Sequence, residues 1–281
     1  MNWTQRTSLL IGDEALKKLK ESSVLLVGLG GVGAYVAEFL ARAGIGALVL
    51  VDGDSVQTTN RNRQLPALCS TEGRSKVDVV AERLRDINPE IGLHCFPLFL
   101  EEEEPEDLLY GRNRYCSDKG ILEKKMIPSD DSRNQFNKSE LSGRSIPVCD
   151  FVVDAIDSLG PKTALIRACL EHMIPLISSM GAGAKLDPSQ ISTCDISKTH
   201  HCALARALRH RLGAFGIRKG FPVVFSSEQA SSKTKSTEEQ PSAKAIPGTI
   251  SYLPAAFACH LAAYTIKYLI SENNPAKNQP I

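Results

Sequence analysis

The sequence predicts an α/β fold: a Rossmann-like, doubly wound, mainly parallel sheet with helices on both faces. Short apolar runs alternate with amphipathic stretches, a glycine-rich turn follows the first apolar run, and acidic residues follow later runs. This alternation is typical of βαβ units, which build parallel sheets. The chain has 281 residues, enough for one large domain of this class.

The first predicted βαβ unit begins with an apolar strand over residues 24–27. Gly28, Gly30 and Gly33 follow in GxGxxG spacing and lead into an amphipathic helix over residues 32–43. Glycines of this pattern permit a tight turn and let phosphate approach backbone N–H groups at the helix N-terminus. The unit therefore predicts a nucleotide-binding site.

The second predicted strand, residues 47–51, ends at Asp52 and Asp54. Asp52 comes 19 positions after Gly33, where an acceptor for a ribose hydroxyl is expected. Glycine spacing and an acid at this distance, taken alone, favour a dinucleotide such as NAD or FAD.

A group of cations behind this unit favours a triphosphate instead. Arg61 and Arg63 lie in Asn60-Arg61-Asn62-Arg63-Gln64, and Lys76 ends Gly73-Arg74-Ser75-Lys76 at the start of the next predicted helix. A dinucleotide pyrophosphate is already served by the helix dipole, whereas the β- and γ-phosphates of a triphosphate need cationic clamps during chemistry. The alternative interpretation is that these three residues are ordinary surface charges.

The motifs together resemble a known family. GLGGVG, VDGDSV, TNRNRQ, GRSKVDVVAERLRDINPE and VVDAIDS resemble the ThiF/MoeB superfamily, which includes the ubiquitin-activating enzymes and adenylates carboxylates with ATP and Mg²⁺. Within it, RAGIGALVLVDGDSV, VVDAIDSLGPKTALI, SSMGAGAKLDPSQISTCDISKT and FPVVFSSE resemble the tRNA threonylcarbamoyladenosine dehydratase family.

The resemblance implies a set of site residues. Asp52 would hold the ribose, Asn60 would orient the phosphates, and Arg63 and Lys76 would neutralise phosphate charge. Arg6 would reach the phosphates of the partner subunit; the alternative is a surface arginine. The residues expected to bind the nucleotide are Gly28, Gly30, Gly31, Gly33, Asp52, Asp54, Asn60, Arg63 and Lys76.

Asp157 is the Mg²⁺ ligand that the resemblance implies, at the end of the apolar run 149–157. An aspartate at the carboxyl end of a parallel strand lies in the crevice where open α/β sheets bind ligands, and Mg²⁺ prefers hard oxygen ligands. Asp154 is the competing choice. Successive strand residues face opposite sides, so residues 154 and 157 point differently, and Asp157 lies further out. We therefore expect Arg6, Arg63, Lys76 and Asp157 to carry the chemistry.

The implied reaction is ATP-dependent cyclisation of N6-threonylcarbamoyladenosine in tRNA, through adenylation of the threonyl carboxylate. The implied partners are the modified tRNA, a second copy of the chain in a homodimer, and a sulfur-transfer protein. The first alternative is adenylation of the C-terminus of a ubiquitin-like or sulfur-carrier protein. An NAD-dependent oxidoreductase and a non-catalytic scaffold of the same fold are the others.

Amino-acid composition limits the kinds of binding site and the cellular compartment that these functions could involve. The formal net charge is +1, so any RNA site must be a local patch. The eight cysteines contain no CxxC pair, which argues against the structural zinc of many MoeB-like relatives. Dispersed cysteines and an N-terminus without an apolar run predict free thiols in the cytoplasm.

The remaining segments complete a single predicted ThiF-type domain over residues 1–281. Residues 101–147 read as a polar insertion and residues 226–245 as a polar crossover loop. Residues 200–219 form a basic helical stretch, either a solvated face or an RNA contact. Residues 253–270 are long and apolar; His260 and Lys267 interrupt them, which favours a buried or dimer-interface helix over a membrane span.

Overall fold

The computed structural model of the chain describes residues 3–100, 102, 109, 148–230 and 248–271. The strands are β1 (Ser23–Val27), β2 (Ala47–Val51), β3 (Gly92–Phe96), β4 (Phe151–Asp154), β5 (Leu176–Ser179), β6 (Ile191–Asp195) and β7 (Pro222–Ser226). The α-helices of the described residues are α1 (Gln5–Ile11), α2 (Asp13–Lys20), α3 (Gly33–Ala43), α4 (Lys76–Ile87), α5 (Leu159–Glu171), α6 (Ala203–Gly213) and α7 (Tyr252–Ile270).

The strands form one sheet in the order β3-β2-β1-β4-β5-β7-β6. Every neighbouring pair is parallel except β7 and β6, which are antiparallel. The chain moves outward from β1 to β3 and then returns to place β4 on the other side of β1. The order therefore reverses between β1 and β4, and a crevice opens outside their carboxyl ends, where open α/β sheets bind ligands.

Helices cover both faces of the sheet, as the sequence predicts. Successive residues of a strand point to opposite faces, so in β4 Phe151 and Val153 join one buried apolar cluster and Val152 joins the other. The first cluster includes side chains of α3, α4 and α7, and the second includes side chains of α5 and α6. Because helices cover both faces, the central strands are apolar throughout and do not alternate with polar residues.

The N-terminal segment forms two short helices, α1 and α2, before the first strand. Gly12 separates α1 from α2 with a φ of 86°, a backbone angle that favours glycine. None of the side chains of α1 is buried, and Leu9 and Leu10 are 81% and 85% exposed. This helix gains little from packing within its own chain.

One predicted boundary is wrong in a way that bears on the site. The strand expected to run to residue 157 ends at Asp154, because β4 pairs with β1 and β5 only over residues 151–154. Residues 155–158 form a turn before α5. Asp157 therefore lies on this turn beyond the strand, further from the sheet than expected.

The long apolar helix α7 passes a membrane-span test by length and hydropathy, the one described helix to do so. It packs against α3 and α2 and against the strands β4 to β7. It buries eight side chains, including Leu253, Phe257 and Leu261. The structure thus agrees with the buried-helix interpretation, and its exposed positions include Cys259, Ala263 and Lys267.

Two predicted segments fall largely outside the described residues. Of the polar insertion 101–147, the structure describes Glu102 and Leu109, and of the crossover loop 226–245 it describes residues 226–230. Both segment assignments stay predictions.

Candidate active site

Three loops meet at the carboxyl edge of the sheet: the glycine turn after β1, the acidic turn after β2 and the turn after β4. The Gly28 N–H donates to the carbonyl of Val51, at 2.8 Å. The Ala155 N–H donates to the carbonyl of Val27, at 2.9 Å. These bonds hold the three loops together, so the residues they carry share one crevice.

The glycines of the turn have different structural roles. Gly28 has a φ of 92°, and a Cβ there would lie 2.6 Å from the carbonyl oxygen of Ala155. A Cβ at Gly33 would lie 1.8 Å from the carbonyl oxygen of Gly28, so this glycine is required for close packing of the helix on the turn. Gly30 is open: a Cβ would meet only Gln64, at 3.8 Å. It is therefore the glycine at which a ligand can approach the backbone.

Gly31 packs against the start of α7. A Cβ there would lie 3.2 Å from Cβ of Pro254 and 3.5 Å from the carbonyl oxygen of Arg63. The Asn62 side-chain amide donates to the carbonyl of Thr249, at 2.9 Å. The N-terminal end of α7 and the Asn60–Gln64 segment thus form a wall beside the glycine turn.

Asp52 is placed at the centre of the crevice by backbone donors. One carboxylate oxygen accepts from the N–H of Leu29 at 2.6 Å and the other from the N–H of Asp54 at 2.8 Å. Burial raises the pKa of Asp52, while the charge of Lys76 and the two backbone donors oppose that rise. Each oxygen keeps a further lone pair, so the carboxylate can also accept from a ligand hydroxyl.

Lys76 and Asp54, both predicted to bind the nucleotide, form an ion pair. Lys76 Nζ lies 2.7 Å from Asp54 Oδ2, with the lysine side chain 5% exposed and the aspartate side chain 50% exposed. The Lys76 N–H also donates to the carbonyl of Asp54, at 3.1 Å. The pair holds the ammonium group beside the acidic turn.

The other predicted phosphate-binding residues lie on the 3-10 turn Thr58–Asn60 after β2 and on the loop that follows it. Asn60 is buried and accepts from the N–H of Gln57 at 3.2 Å. Arg63 is half-buried, and its Nη1 donates to the carbonyl of Thr59 and the side chain of Asn62, each at 3.0 Å. Arg61 is instead turned towards the thiol of Cys69, which its Nη1 approaches at 2.7 Å.

Asp154 is occupied in a fully buried network, which separates it from Asp157. Lys162 Nζ lies 2.8 Å from Asp154 Oδ2, and both side chains have no exposed surface. Ser178 Oγ donates to the same carboxylate oxygen at 2.6 Å, and the Ile156 N–H donates to Oδ1 at 3.0 Å. Lys162 Nζ also donates to the carbonyl of Ile156, at 2.8 Å. The network thus hydrogen-bonds both the N–H and the carbonyl of Ile156, which fixes the backbone just before Asp157.

Asp157 follows that peptide and is exposed to solvent. It forms no hydrogen bond or ion pair with the described residues, and its carboxylate is free for a ligand. The described residues contain no group of three or more His, Cys, Asp or Glu side chains that could hold a metal by themselves. A cation at Asp157 would need oxygen ligands from the substrate and from water.

Arg6 is the predicted site residue that the fold of one chain does not bring to the crevice. It is exposed on α1. The nearby Thr4 lies against Gly44, where a Cβ would be 3.4 Å from Thr4 Cγ2. Gly44 immediately precedes the amino end of β2, the edge of the sheet opposite the crevice. The structure therefore does not bring Arg6 to the crevice of its own chain.

The sequence-based prediction missed Lys162, Ser178 and Asn62 as contributors to this region. Neither Lys162 nor Ser178 is among the residues that the sequence predicts for the site. The sequence does contain one indication of this buried pair: Asp154 and Lys162 are eight positions apart, and both have apolar neighbours in the sequence.

The model of the ThiF family matches residues 4–115 and 126–280. The chain belongs to the ThiF family. The tRNA threonylcarbamoyladenosine dehydratase of Bacillus subtilis is 41% identical over 223 residues, which are 79% of this chain and 74% of the relative. The resemblance inferred from the sequence motifs is thereby confirmed.

Solved structures agree with this assignment. The crystal structure of the Escherichia coli tRNA N6-threonylcarbamoyladenosine dehydratase in complex with ATP is 32% identical, with a TM-score of 0.73. The match covers 99% of the present chain and 98% of the Escherichia coli chain. Its complex with AMP is 33% identical, with a TM-score of 0.74, over 99% of this chain and 97% of that chain. The predicted doubly wound fold is confirmed.

Proposed function

We propose that the chain is an ATP-dependent tRNA threonylcarbamoyladenosine dehydratase. The observation that carries the proposal is the 41% identity to a dehydratase of this kind, in a chain whose glycine turn, Asp52 and Lys76 meet at one crevice. The relatives solved with ATP and with AMP support a nucleotide in that crevice.

The residues of the crevice suit a nucleoside triphosphate. Asp52 accepts a ribose hydroxyl, and the open backbone at Gly30 admits the phosphates. Lys76 beside the acidic turn and Arg63 beside the glycine turn would neutralise phosphate charge, while Asn60 would orient the phosphate oxygens. Fixed cations of this kind act where negative charge develops, without reorganisation of solvent during the reaction.

Asp157 is the residue that would hold Mg²⁺. Its exposed carboxylate is a hard oxygen ligand, whereas the Asp154 carboxylate is already neutralised by Lys162. Mg²⁺ commonly takes one or two carboxylates together with substrate phosphates and waters, which fits a site with a single free carboxylate. When bound, the ion would neutralise phosphate charge.

The reaction runs in two displacements. A carboxylate oxygen of the threonyl group attacks the α-phosphorus of ATP, the bond to the β-phosphate oxygen breaks, and pyrophosphate leaves. The carbamoyl group of the same substrate then attacks the activated carbonyl carbon through one of its heteroatoms, that group loses a proton, and AMP leaves. The ring closes with net loss of one water from the tRNA, and no enzyme thiol takes part because the nucleophile is already tethered.

A homodimer is part of the proposal, and two observations support it. Arg6 lies at the edge of its own chain opposite the crevice, so a phosphate contact requires a second copy. Trp3, Leu9 and Leu10 lie close together in the N-terminal sequence and are 49%, 81% and 85% exposed, and apolar side chains that form one exposed patch mark an interaction surface. On α7, the small side chains of Cys259 and Ala263 are also exposed, and a partner helix could pack against them.

The proposed compartment is the cytoplasm, where tRNA is the substrate. Cys69 and Cys259 are exposed free thiols, which suits a reducing compartment. The sulfur-transfer protein implied by the resemblance stays a prediction, tested by affinity capture with the purified chain.

Mass spectrometry of tRNA nucleosides tests the proposal. Purified protein is incubated with threonylcarbamoyladenosine-containing tRNA, ATP and Mg²⁺, and the modified nucleoside is expected to lose one water, about 18 mass units. Omission of ATP, and the Lys76→Ala variant, should each abolish the loss. If the nucleoside is unchanged while ATP is consumed with a Gly-Gly-ending ubiquitin-like protein, the chain instead activates protein C-termini.

A further inference from the structure

The most basic segment of the chain surrounds α6. Residues 196–220 contain six lysines and arginines, three histidines and no aspartate or glutamate, although the whole chain has a formal net charge of only +1. We propose that four of these cations, Lys198, Arg206, Arg218 and Lys219, form a basic strip that binds the phosphate backbone of the tRNA. This inference rests on the proposed function, since it identifies the surface that receives the substrate.

Two cations of the segment are occupied within the protein. Arg209 Nη1 donates to the carbonyl of Thr199 at 3.0 Å and also contacts its hydroxyl, so it anchors the segment before α6. Arg211 pairs with Glu102. The four residues of the basic strip are exposed, and none of them forms an ion pair with a carboxylate in the part of the chain that the structure describes.

The acidic groups next to the strip have partners of their own. The Asp195 carboxylate accepts from the N–H of Ser197 at 2.9 Å and from the N–H of Gly220 at 2.7 Å. Glu102 is held by Arg211. Among the described residues, no ion pair with a carboxylate offsets the charge of the strip, although Asp195 lies near Lys198. The strip therefore presents positive charge to solvent.

The basic strip starts at the edge of the sheet that carries the active site. Cys202, the N-cap of α6, lies beside Gly181, where a Cβ would be 3.6 Å from its sulfur, and Gly181 follows the carboxyl end of β5. Arg206, in the first turns of α6, lies near that edge. The other end is fixed by the antiparallel pairing of Asp195 with Pro222 at the opposite edge. Lys198 lies three positions after Asp195, and Arg218 and Lys219 lie four and three positions before Pro222, so these cations belong to the opposite edge.

The length and direction of the strip suit a nucleic acid. Its two ends lie near opposite ends of β7, whose five residues at about 3.3 Å each span about 17 Å. The reacting nucleotide must enter the crevice while the flanking backbone continues over the surface. Lysines and arginines that contact phosphate fix the position of a nucleic acid without reading its sequence.

Exposed imidazoles add a second element at the crevice end of the strip. His200 and His201 are exposed, with ring centroids 4.9 Å apart, and His200 also packs edge-on against Phe225 near the carboxyl end of β7. Sequence-specific RNA recognition uses splayed bases of single-stranded loops, stacked on aromatic side chains that include histidine. His210, one turn after Arg206, continues the exposed face of α6.

The test is a salt titration of tRNA binding with a charge-removing triple variant, Arg206→Gln/Arg218→Gln/Lys219→Gln. Binding of an unmodified tRNA transcript is measured between low and physiological salt. A plot of the logarithm of the binding constant against the logarithm of the salt concentration has a negative slope, and each lost phosphate contact makes it shallower by about 0.9. The triple variant should therefore reduce the magnitude of the slope by about 2 to 3. We expect affinity at physiological salt to fall about ten-fold or more, with ATP binding unchanged.

The matched control removes three exposed cations elsewhere, Lys17→Gln/Lys20→Gln/Arg85→Gln. It changes the net charge equally and should leave the slope near that of the wild type. An unchanged slope in the strip variant, or an equal loss in the control, overturns the inference. So does wild-type binding to phosphatidylserine vesicles without binding to the transcript. Because the transcript lacks the reacting group, failure of the proposed dehydration is seen separately, as an unchanged nucleoside mass despite normal binding.

Discussion

Replacing Lys162 with methionine is expected to destabilise the protein strongly, because it leaves a buried carboxylate without its counter-charge. Lys162 and Asp154 are both fully buried and lie 2.8 Å apart. Methionine keeps most of the volume of the side chain but removes the ammonium group. The Asp154 carboxylate then retains only the hydroxyl of Ser178 and the N–H of Ile156.

The size of the effect follows from that geometry. Removing one partner of a buried ion pair costs about 3–5 kcal/mol, most of it the penalty of an uncompensated buried charge. A typical domain has a free energy of unfolding of about 5–15 kcal/mol, so the variant should still fold in dilute buffer. The double variant Asp154→Asn/Lys162→Met removes both charges and should recover all but about 1–2 kcal/mol.

Urea denaturation followed by circular dichroism measures these free energies, and ATP turnover is measured on the same samples. Both variants lose the donor to the Ile156 carbonyl, which precedes Asp157. We therefore expect the double variant to regain stability while its KM for ATP stays raised. A single variant within about 1 kcal/mol of the wild type would refute the buried-charge argument. Wild-type turnover in the double variant would refute the link to Asp157.

Further predictions concern the crevice. Gly30→Ala should keep the wild-type melting temperature but weaken ATP binding, whereas Gly33→Ala should fail to fold stably, since its Cβ would lie 1.8 Å from a backbone oxygen; calorimetry and thermal melts separate the two, and equal melting temperatures would contradict the assignment. Asp157→Asn should raise the Mg²⁺ concentration for half-maximal ATP turnover with little change in unfolding free energy, and an unshifted Mg²⁺ titration would exclude this carboxylate as a ligand. Lys76→Gln should abolish turnover and cost about 1–3 kcal/mol of stability, because the lysine is buried while its half-exposed partner stays hydrated; urea melts and an ATP assay check both. Asp52→Asn should weaken binding of adenosine as well as ATP, and a loss confined to ATP would contradict its ribose role.

The parts of the site that are local in sequence were predictable. Gly28, Gly33 and Asp52 belong to one βαβ unit, in which a tight turn and the following strand constrain each residue type by backbone geometry. The open position of Gly30 and the packing of Gly31 on Pro254 were not predictable, because Pro254 is more than 200 positions away. The predicted end of β4 was wrong for a similar reason. A strand ends where its neighbours stop pairing with it, and the neighbours of β4 are β1 and β5, which are distant in sequence.

The sequence by itself determined the fold class, the family and the chemistry available, because apolar periodicity, glycine spacing and acidic strand ends are constraints between near neighbours. Tertiary structure alone decided which charged groups are free to act. Asp154 and Asp157 are three positions apart and chemically equivalent, yet burial beside Lys162 neutralises the first and leaves the second for a ligand. Arg6 and the basic strip follow the same rule, since their roles depend on the edge of the sheet at which the fold positions them.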